Sequence, residues 1–138
     1  SINSAPITAH AIYQSAPIEL EQQLEITLLA GKAQFTGEFS VKPAITGGDG
    51  YLIIDGRNYH TGDRFTLQAD MPCPIHYQPL TSGSHSIQFT LSDDICSAEE
   101  IVPVEVFNQG GVVKPQNGIY IYHRGAVLQP RTLGRTCR

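Results

Sequence analysis

The chain has 138 residues, of which 13 are glycine, 9 are proline and none is tryptophan. This length provides one core that needs neither metal nor disulfide to fold, and the turn-rich composition favours an all-β domain over a helical one. Apolar stretches are only a few residues long, which excludes a transmembrane helix within the sequence.

Charge is divided unequally along the chain. Residues 1–107 carry all 13 acidic side chains and four basic ones, whereas residues 108–138 carry five basic side chains and no carboxylate. The first part is therefore near −9 and the second near +5, for a total of −4. Such a division indicates an acidic domain with a basic extension that seeks an anionic surface. The basic residues of the extension are Lys114, Arg124, Arg131, Arg135 and Arg138.

The first strand signal follows an extended leader, residues 1–17. From Ile18 to Leu28 apolar and polar residues alternate, and only Gln22 interrupts the period of two. A helix would place Ile18 and Ile26 on the wrong face, so the pattern predicts one long half-buried strand. The chain begins at Ser1 without a signal peptide, which we interpret as a trimmed or mature start.

Short strands separated by turn signals fill residues 18–107. Asp55-Gly56 predicts a type I′ hairpin that folds residues 51–54 onto residues 57–60. Pro103 predicts an edge strand or a bulge within the run 101–107. Seven or eight such strands describe an antiparallel β-sandwich of immunoglobulin-like size.

The basic C-terminal extension, residues 108–138, follows this sandwich. We expect a small hairpin that pairs residues 118–122 with residues 126–128, and an unstructured stretch from Pro130 to Arg138 unless something holds it. Three cysteines are present, and Cys73 and Cys96 both flank predicted strands. They are the candidates for one disulfide, although spacing alone favours the simpler interpretation of three unpaired thiols.

Catalytic and metal-binding patterns are nearly absent from the sequence. No serine lies in a nucleophile elbow, the histidines occur singly, and we expect neither a metal nor a cofactor. His76 and His85 could face each other across a hairpin. Asp93-Asp94 could contribute to a calcium site between loops, but turn support is the stronger interpretation.

The extension is the strongest candidate for binding, because tyrosine and arginine are enriched at interface hot spots. Its alternatives are docking onto the acidic sandwich of the same chain and contact with an anionic polymer or lipid surface. Five charges over 31 residues are too few for a dedicated nucleic-acid module. The predicted partner-binding residues are Tyr120, Tyr122, His123, Arg124, Arg131 and Arg135.

A family resemblance rests on the order of strand and turn segments between Leu24 and Val106. These segments are 24–28, 35–39, 50–53 with Asp55-Gly56, 62–67 and 87–94. In that order and spacing the chain resembles the TraQ-type conjugal transfer proteins of Bacteroides-type conjugative transposons. The resemblance implies an immunoglobulin-like sandwich exported beyond the inner membrane as an accessory to a conjugation apparatus, with no catalytic residues. The extension from Asn108 onward lies outside the family pattern.

The resulting hypothesis is a non-enzymatic, extracytoplasmic module of the periplasm or cell surface that binds a protein partner in an envelope or DNA-transfer assembly. Unpaired sheet edges and the C-terminal extension are the expected contact surfaces. One alternative is a glycan-binding or adhesin module with a sugar platform of Tyr51, Tyr59 and Tyr77. The other is a small hydrolase, which a deep pocket with convergent histidines and carboxylates would support.

Overall fold

The computed structural model describes residues 4–108, 126–129 and 133–138. Within them twelve β-strands follow one another without an α-helix. No helix among these residues has the length and apolar character to cross a membrane. The strands are β1 Thr8–Gln14, β2 Ile18–Glu19, β3 Leu24–Gly31, β4 Glu38–Thr46, β5 Gly50–Ile54, β6 Arg57–Tyr59, β7 Phe65–Gln68, β8 Cys73–Pro79, β9 Gly83–Ser92, β10 Cys96–Phe107, β11 Ala126–Gln129 and β12 Leu133–Cys137.

The strands form two sheets that pack face to face. The first, sheet A, has the order β11-β1-β3-β8-β5-β6, and the second, sheet B, has the order β12-β10-β9-β4-β7 with β2 added in parallel to β10. Strands β1, β3 and β8 share one sheet while β4, β9 and β10 share the other, as strands A, B, E and C, F, G do in immunoglobulin-like sandwiches. The predicted fold class is therefore confirmed.

The core is built from side chains at every second position of the strands. In β9, His85, Ile87, Phe89 and Leu91 are buried while the residues between them are not. This alternation gives each sheet one apolar face, and burial of the two faces against each other is the main stabilising contribution. The largest fully buried side chains are Tyr77, Phe39 and Phe89.

Two local predictions are confirmed by the backbone. Asp55 and Gly56 have φ angles of 51° and 76°, and they connect β5 to β6 with Ile54 opposite Arg57. Positive φ at both central residues is what a type I′ turn requires. Pro103 faces Ser86 of β9, and the pairings of β10 with β12 and β2 lie on either side of it. Since proline has no N–H to donate, it occupies a stretch where β10 is an edge among the described strands.

The single long strand predicted from Ile18 to Leu28 is wrong. A turn separates β2 from β3: the Gln22 N–H donates to the Glu19 carbonyl, and the Glu19 N–H donates to the Gln22 side chain. As a result β2 belongs to sheet B and β3 to sheet A. A continuous strand would keep the period of two, so the break in alternation at Gln22 was the sequence signal for this turn.

The leader and the extension also take part in the sandwich. Residues 8–14, expected as a leader outside it, form β1 and pair with β3 from Thr8–Gly31 to Tyr13–Ile26. Residues 133–137, expected to be unstructured unless something held them, pair with β10 as β12. Residues 126–129 pair with β1, whereas residues 118–122, their expected hairpin partner, lie outside the described residues. Sheet hydrogen bonding therefore extends past the boundaries expected at 18 and 107.

Candidate interaction surfaces

The C-terminal strands lie on the side of the sandwich where β1 and β10 meet. Strand β11 extends sheet A beside β1, and β12 extends sheet B beside β10, so the chain changes sheets between Gln129 and Leu133. The buried Glu100 of β10 accepts a hydrogen bond of 3.1 Å from the Ala11 N–H of β1. This contact joins the two sheets at the edge that the C-terminal strands extend.

A disulfide between Cys96 and Cys137 connects β12 to the start of β10. The predicted pair of Cys73 and Cys96 is therefore wrong, because Cys73 begins β8 in the opposite sheet and remains a free thiol. Burial, and to a smaller extent the charge of Asp55, raise the pKa of the Cys73 thiol. A thiol with a raised pKa is a weak nucleophile at neutral pH.

Most of the predicted partner-binding residues lie outside the described part of the chain. These are Tyr120, Tyr122, His123, Arg124 and Arg131. Arg135 lies in β12 and is exposed, as is Arg138. Their guanidinium groups are thus presented by a strand fixed to sheet B by backbone hydrogen bonds and a disulfide. The predicted contact role of this segment stays a prediction.

One end of the sandwich, here called the ionic end, is organised by a buried ion pair. The Lys32 ammonium lies 2.6 Å from the Asp93 carboxylate, and their side chains are 1% and 8% exposed. The other Asp93 oxygen accepts from the N–H groups of Ile95 and Cys96, which fixes the β9–β10 turn. The same ammonium is 3.6 Å from the Cys96 sulfur, so the ion pair and the disulfide adjoin each other.

The ionisation of Asp93 follows from these contacts. Burial alone would raise its pKa, but hydrogen bonds from Lys32 and two backbone N–H groups, together with the Lys32 charge, lower it overall. The carboxylate is thus held by protein donors. Its contacts with the Lys32 ammonium and with two backbone N–H groups assign Asp93 a structural role. No group of three or more metal-ligating side chains occurs among the described residues.

The opposite end, here called the neutral end after its protonated phenol, contains a buried tyrosine–histidine pair. The Tyr77 hydroxyl lies 2.6 Å from Nδ1 of His85, and Thr81 lies 3.4 Å from Nε2. Burial, with a smaller contribution from Asp49, raises the pKa of Tyr77 to about 12. The phenol therefore stays protonated at neutral pH and shares this hydrogen bond with the imidazole. Gly48 is required beside this pair, since a Cβ there would collide with the His85 ring.

Two predicted groupings are not formed. His76 and His85 do not face each other: β8 and β9 belong to different sheets, and His85 is bonded to Tyr77. The three tyrosines of the expected sugar platform are also separated. Tyr77 is buried in the core, Tyr59 packs edge-on against Phe65, and the half-buried Tyr51 lies beside His60.

Shallow cavities gather around the ionic end. One of about 250 Å³ is lined by Phe35, Glu38, Asp94 and their neighbours. Two others of about 250 Å³ extend from Asp93 over the outer face of sheet B. At the neutral end a cavity of about 300 Å³ is bordered by Tyr13, His85 and Glu105. Within the described part of the chain, none of these four cavities combines enclosure with convergent histidines and carboxylates, which is the arrangement a hydrolase would need.

Comparison with known proteins yields structural likeness alone. No protein family profile and no curated protein sequence matches the chain. A conjugative transposon lipoprotein from Bacteroides eggerthii superimposes with a TM-score of 0.63 at 20% identity, covering 72% of this chain and 96% of its own. A conjugate transposon protein from Bacteroides vulgatus gives 0.61 at 17% identity, covering 73% and 85%. A lipoprotein from Bacteroides thetaiotaomicron gives 0.64 at 12% identity, covering 88% and 93%. At these identities the likeness shows a common fold.

Proposed function

We propose that this protein is a non-enzymatic, extracytoplasmic binding subunit that contacts a protein partner in an envelope-associated, conjugative DNA-transfer assembly. The observation that carries the proposal is the attachment of the C-terminal segment to both sheets. Arg135 in β12 and Arg138 directly after it lie beside the Cys96–Cys137 disulfide, so a rigid support presents them. Such presentation lowers the entropy lost when a partner binds.

The extracytoplasmic location is supported by the disulfide and by the structural neighbours. Disulfides persist in oxidising compartments and are rare in the cytosol. Two of the neighbours are described as lipoproteins, a class that is attached to membranes through lipid. The conjugative role is supported by the two neighbours described as transposon proteins and by the order of strand and turn segments between Leu24 and Val106.

Removal of the whole extension would also remove two strands, so the test uses charge-neutralising substitutions. Arg124, Arg131 and Arg135 are changed together to glutamine, and the matched control changes Arg57 and Arg64, which lie on and beside the opposite edge strands. Partner capture in the native host is measured by chemical crosslinking and mass spectrometry, beside the frequency of element transfer. We expect the first variant to lose a crosslinked protein of the transfer assembly and to transfer less, and the control to retain both.

The captured complex should also respond to salt, because exposed charges are screened more strongly as the Debye length falls from about 10 Å at 0.1 M to about 3 Å at 1 M. If the partner protein is still crosslinked to the first variant but not to the Arg57/Arg64 control, the contact surface lies at the edge formed by β6 and β7. Unchanged transfer in a strain that lacks the protein would contradict the assembly role.

A further inference from the structure

The two cysteines of the disulfide lie in different surroundings. Cys96 is 3% exposed and belongs to the core, whereas Cys137 is an exposed residue of β12. A cavity of about 250 Å³ is lined by both cysteines, together with Thr136 and Arg138. Thiol–disulfide exchange begins with attack of a thiolate on one of the two sulfurs, and access decides which one is attacked. An incoming thiolate therefore reaches Cys137 more readily than Cys96.

The buried sulfur has a partner that suits a leaving group. The Lys32 ammonium lies 3.6 Å from the Cys96 sulfur, and the Lys32 side chain is 1% exposed. An ammonium has three N–H donors, so its bond to the Asp93 carboxylate leaves a donor for the sulfur. When the disulfide opens, the negative charge that develops on Cys96 meets this donor already in place and shielded from water. A stabilised thiolate leaves faster, so these surroundings favour the departure of Cys96.

The same sulfur also has a partner for its protonated form. The Ala5 carbonyl oxygen lies 3.2 Å from the Cys96 sulfur. A disulfide sulfur carries no hydrogen to donate, but a thiol does, so this carbonyl accepts from Cys96 after the bond has opened and solvent has protonated the thiolate. The Asp93 carboxylate, which by itself would repel a thiolate, is neutralised by Lys32 and accepts from two backbone N–H groups. Both forms of the released Cys96 sulfur are thus satisfied within the fold.

We propose that the Cys96–Cys137 disulfide is a thiol-exchange site for low-molecular-weight thiols, at which Cys137 is attacked and Cys96 leaves. The thiolate of the incoming compound forms a bond to the Cys137 sulfur, the bond between the two cysteines breaks, and its electron pair stays on Cys96 beside Lys32. Cys137 then carries the compound as a mixed disulfide. A second thiolate of the same kind can attack the sulfur of the bound compound, which releases Cys137 as a thiolate and forms the disulfide of the compound. This role goes beyond partner binding by the C-terminal segment and does not depend on it.

The first test locates the adduct. The full chain carries Cys73→Ser, which leaves one disulfide and no other thiol. It is treated with excess reduced glutathione at neutral pH, quenched with acid at low conversion, and alkylated with N-ethylmaleimide in denaturant before peptide mass spectrometry. We expect glutathione on Cys137 and maleimide on Cys96, with a preference of about tenfold or more over the reverse arrangement. In the urea-denatured chain both sulfurs are accessible, and the preference should fall to about twofold or less.

The second test measures the rate of opening when the ammonium is removed. In the same background, Lys32→Met combined with Asp93→Asn should slow opening by glutathione about tenfold, the effect of one hydrogen bond to a charged group. Asp93→Asn alone keeps the ammonium beside the sulfur and should open at least as fast as the parent. Lys42→Met, a change at an exposed lysine of β4, is the matched control and should open at the parent's rate.

Several results would overturn the proposal. These are a disulfide that stays closed in excess glutathione, adducts divided equally between the two cysteines of the folded chain, and a preference for Cys96. Opening of the folded double variant at the parent's rate, or equal slowing by Lys42→Met, would also overturn it. Urea denaturation shows whether the double variant folds. If it does not, the position of the adduct in the folded and denatured parent decides alone.

Discussion

The two ends of the sandwich differ in how a buried polar side chain is paired. At the ionic end a buried ammonium is neutralised by a carboxylate, and a disulfide lies beside the pair. At the neutral end a buried imidazole is satisfied by a phenol. A charge in the interior is tolerated only while its partner is present, whereas an uncharged pair loses less when one member is removed. The ionic end should therefore be the more sensitive to substitution, and the two ends should respond to opposite extremes of pH.

The largest effect is expected for Asp93→Ala. It leaves the Lys32 ammonium buried without its carboxylate and removes the acceptor for two backbone N–H groups. Loss of one partner from a buried ion pair costs about 3–5 kcal/mol, and urea denaturation measures it. The double change Lys32→Met with Asp93→Asn should recover most of this loss, since it removes the charge and keeps an acceptor oxygen. A double variant as unstable as Asp93→Ala would refute the ionic explanation.

The disulfide at the ionic end should give the next largest effect. Cys96 and Cys137 are 41 residues apart in sequence, and a crosslink over such a loop contributes about 2–4 kcal/mol, chiefly by restricting the unfolded chain. Cys137→Ser should lower the free energy of unfolding by that amount under oxidising conditions. Reductant should destabilise the unchanged chain and leave the variant unaffected. Cys73→Ser, which removes the free thiol, is the control and should remain sensitive to reductant.

A smaller effect is expected at the neutral end for Tyr77→Phe. The ring keeps its place in the core, but Nδ1 of His85 loses its partner in a buried position. An unsatisfied buried polar group costs about 1–3 kcal/mol, again measurable by urea denaturation. Tyr51→Phe, on the outer face of sheet A, should change stability by less than about 0.5 kcal/mol. If Tyr77→Phe costs as much as Asp93→Ala, the distinction between the two ends fails.

The comparison also shows how far sequence reasoning reaches. Alternation and turn residues predicted the sandwich and the Asp55-Gly56 hairpin because both depend on neighbours in sequence. Lys32 and Asp93 are 61 residues apart, and each looks like an ordinary loop residue. The pairing of Cys96 with Cys137 depends in the same way on β12 returning to β10.

Alkaline pH should weaken the neutral end selectively. The pKa of Tyr77 is raised from 10.0 to about 12 in the folded protein. A raised pKa means that this contribution to stability is complete below pH 10 and is lost as the pH rises towards 12. Tyr77→Phe lacks the titrating group, so its stability should fall less over this range than that of the unchanged chain. An equal loss of stability in both proteins between pH 10 and pH 12 would show that ionisation of Tyr77 is not its cause.

Acid should weaken the ionic end, with the smallest effect of the series. The pKa of Asp93 is lowered from 3.8 in the folded protein, so its contribution is complete above that value and is lost as the pH falls through the folded pKa. Urea midpoints between about pH 5 and pH 2 should therefore decline less steeply in Asp93→Asn, which has no carboxyl to protonate there. Tyr77→Phe serves as the control, because its acid decline should match that of the unchanged chain. An unaltered slope in Asp93→Asn would mean that other carboxyl groups set the acid limit and that the Lys32–Asp93 pair stabilises the fold by geometry rather than by charge.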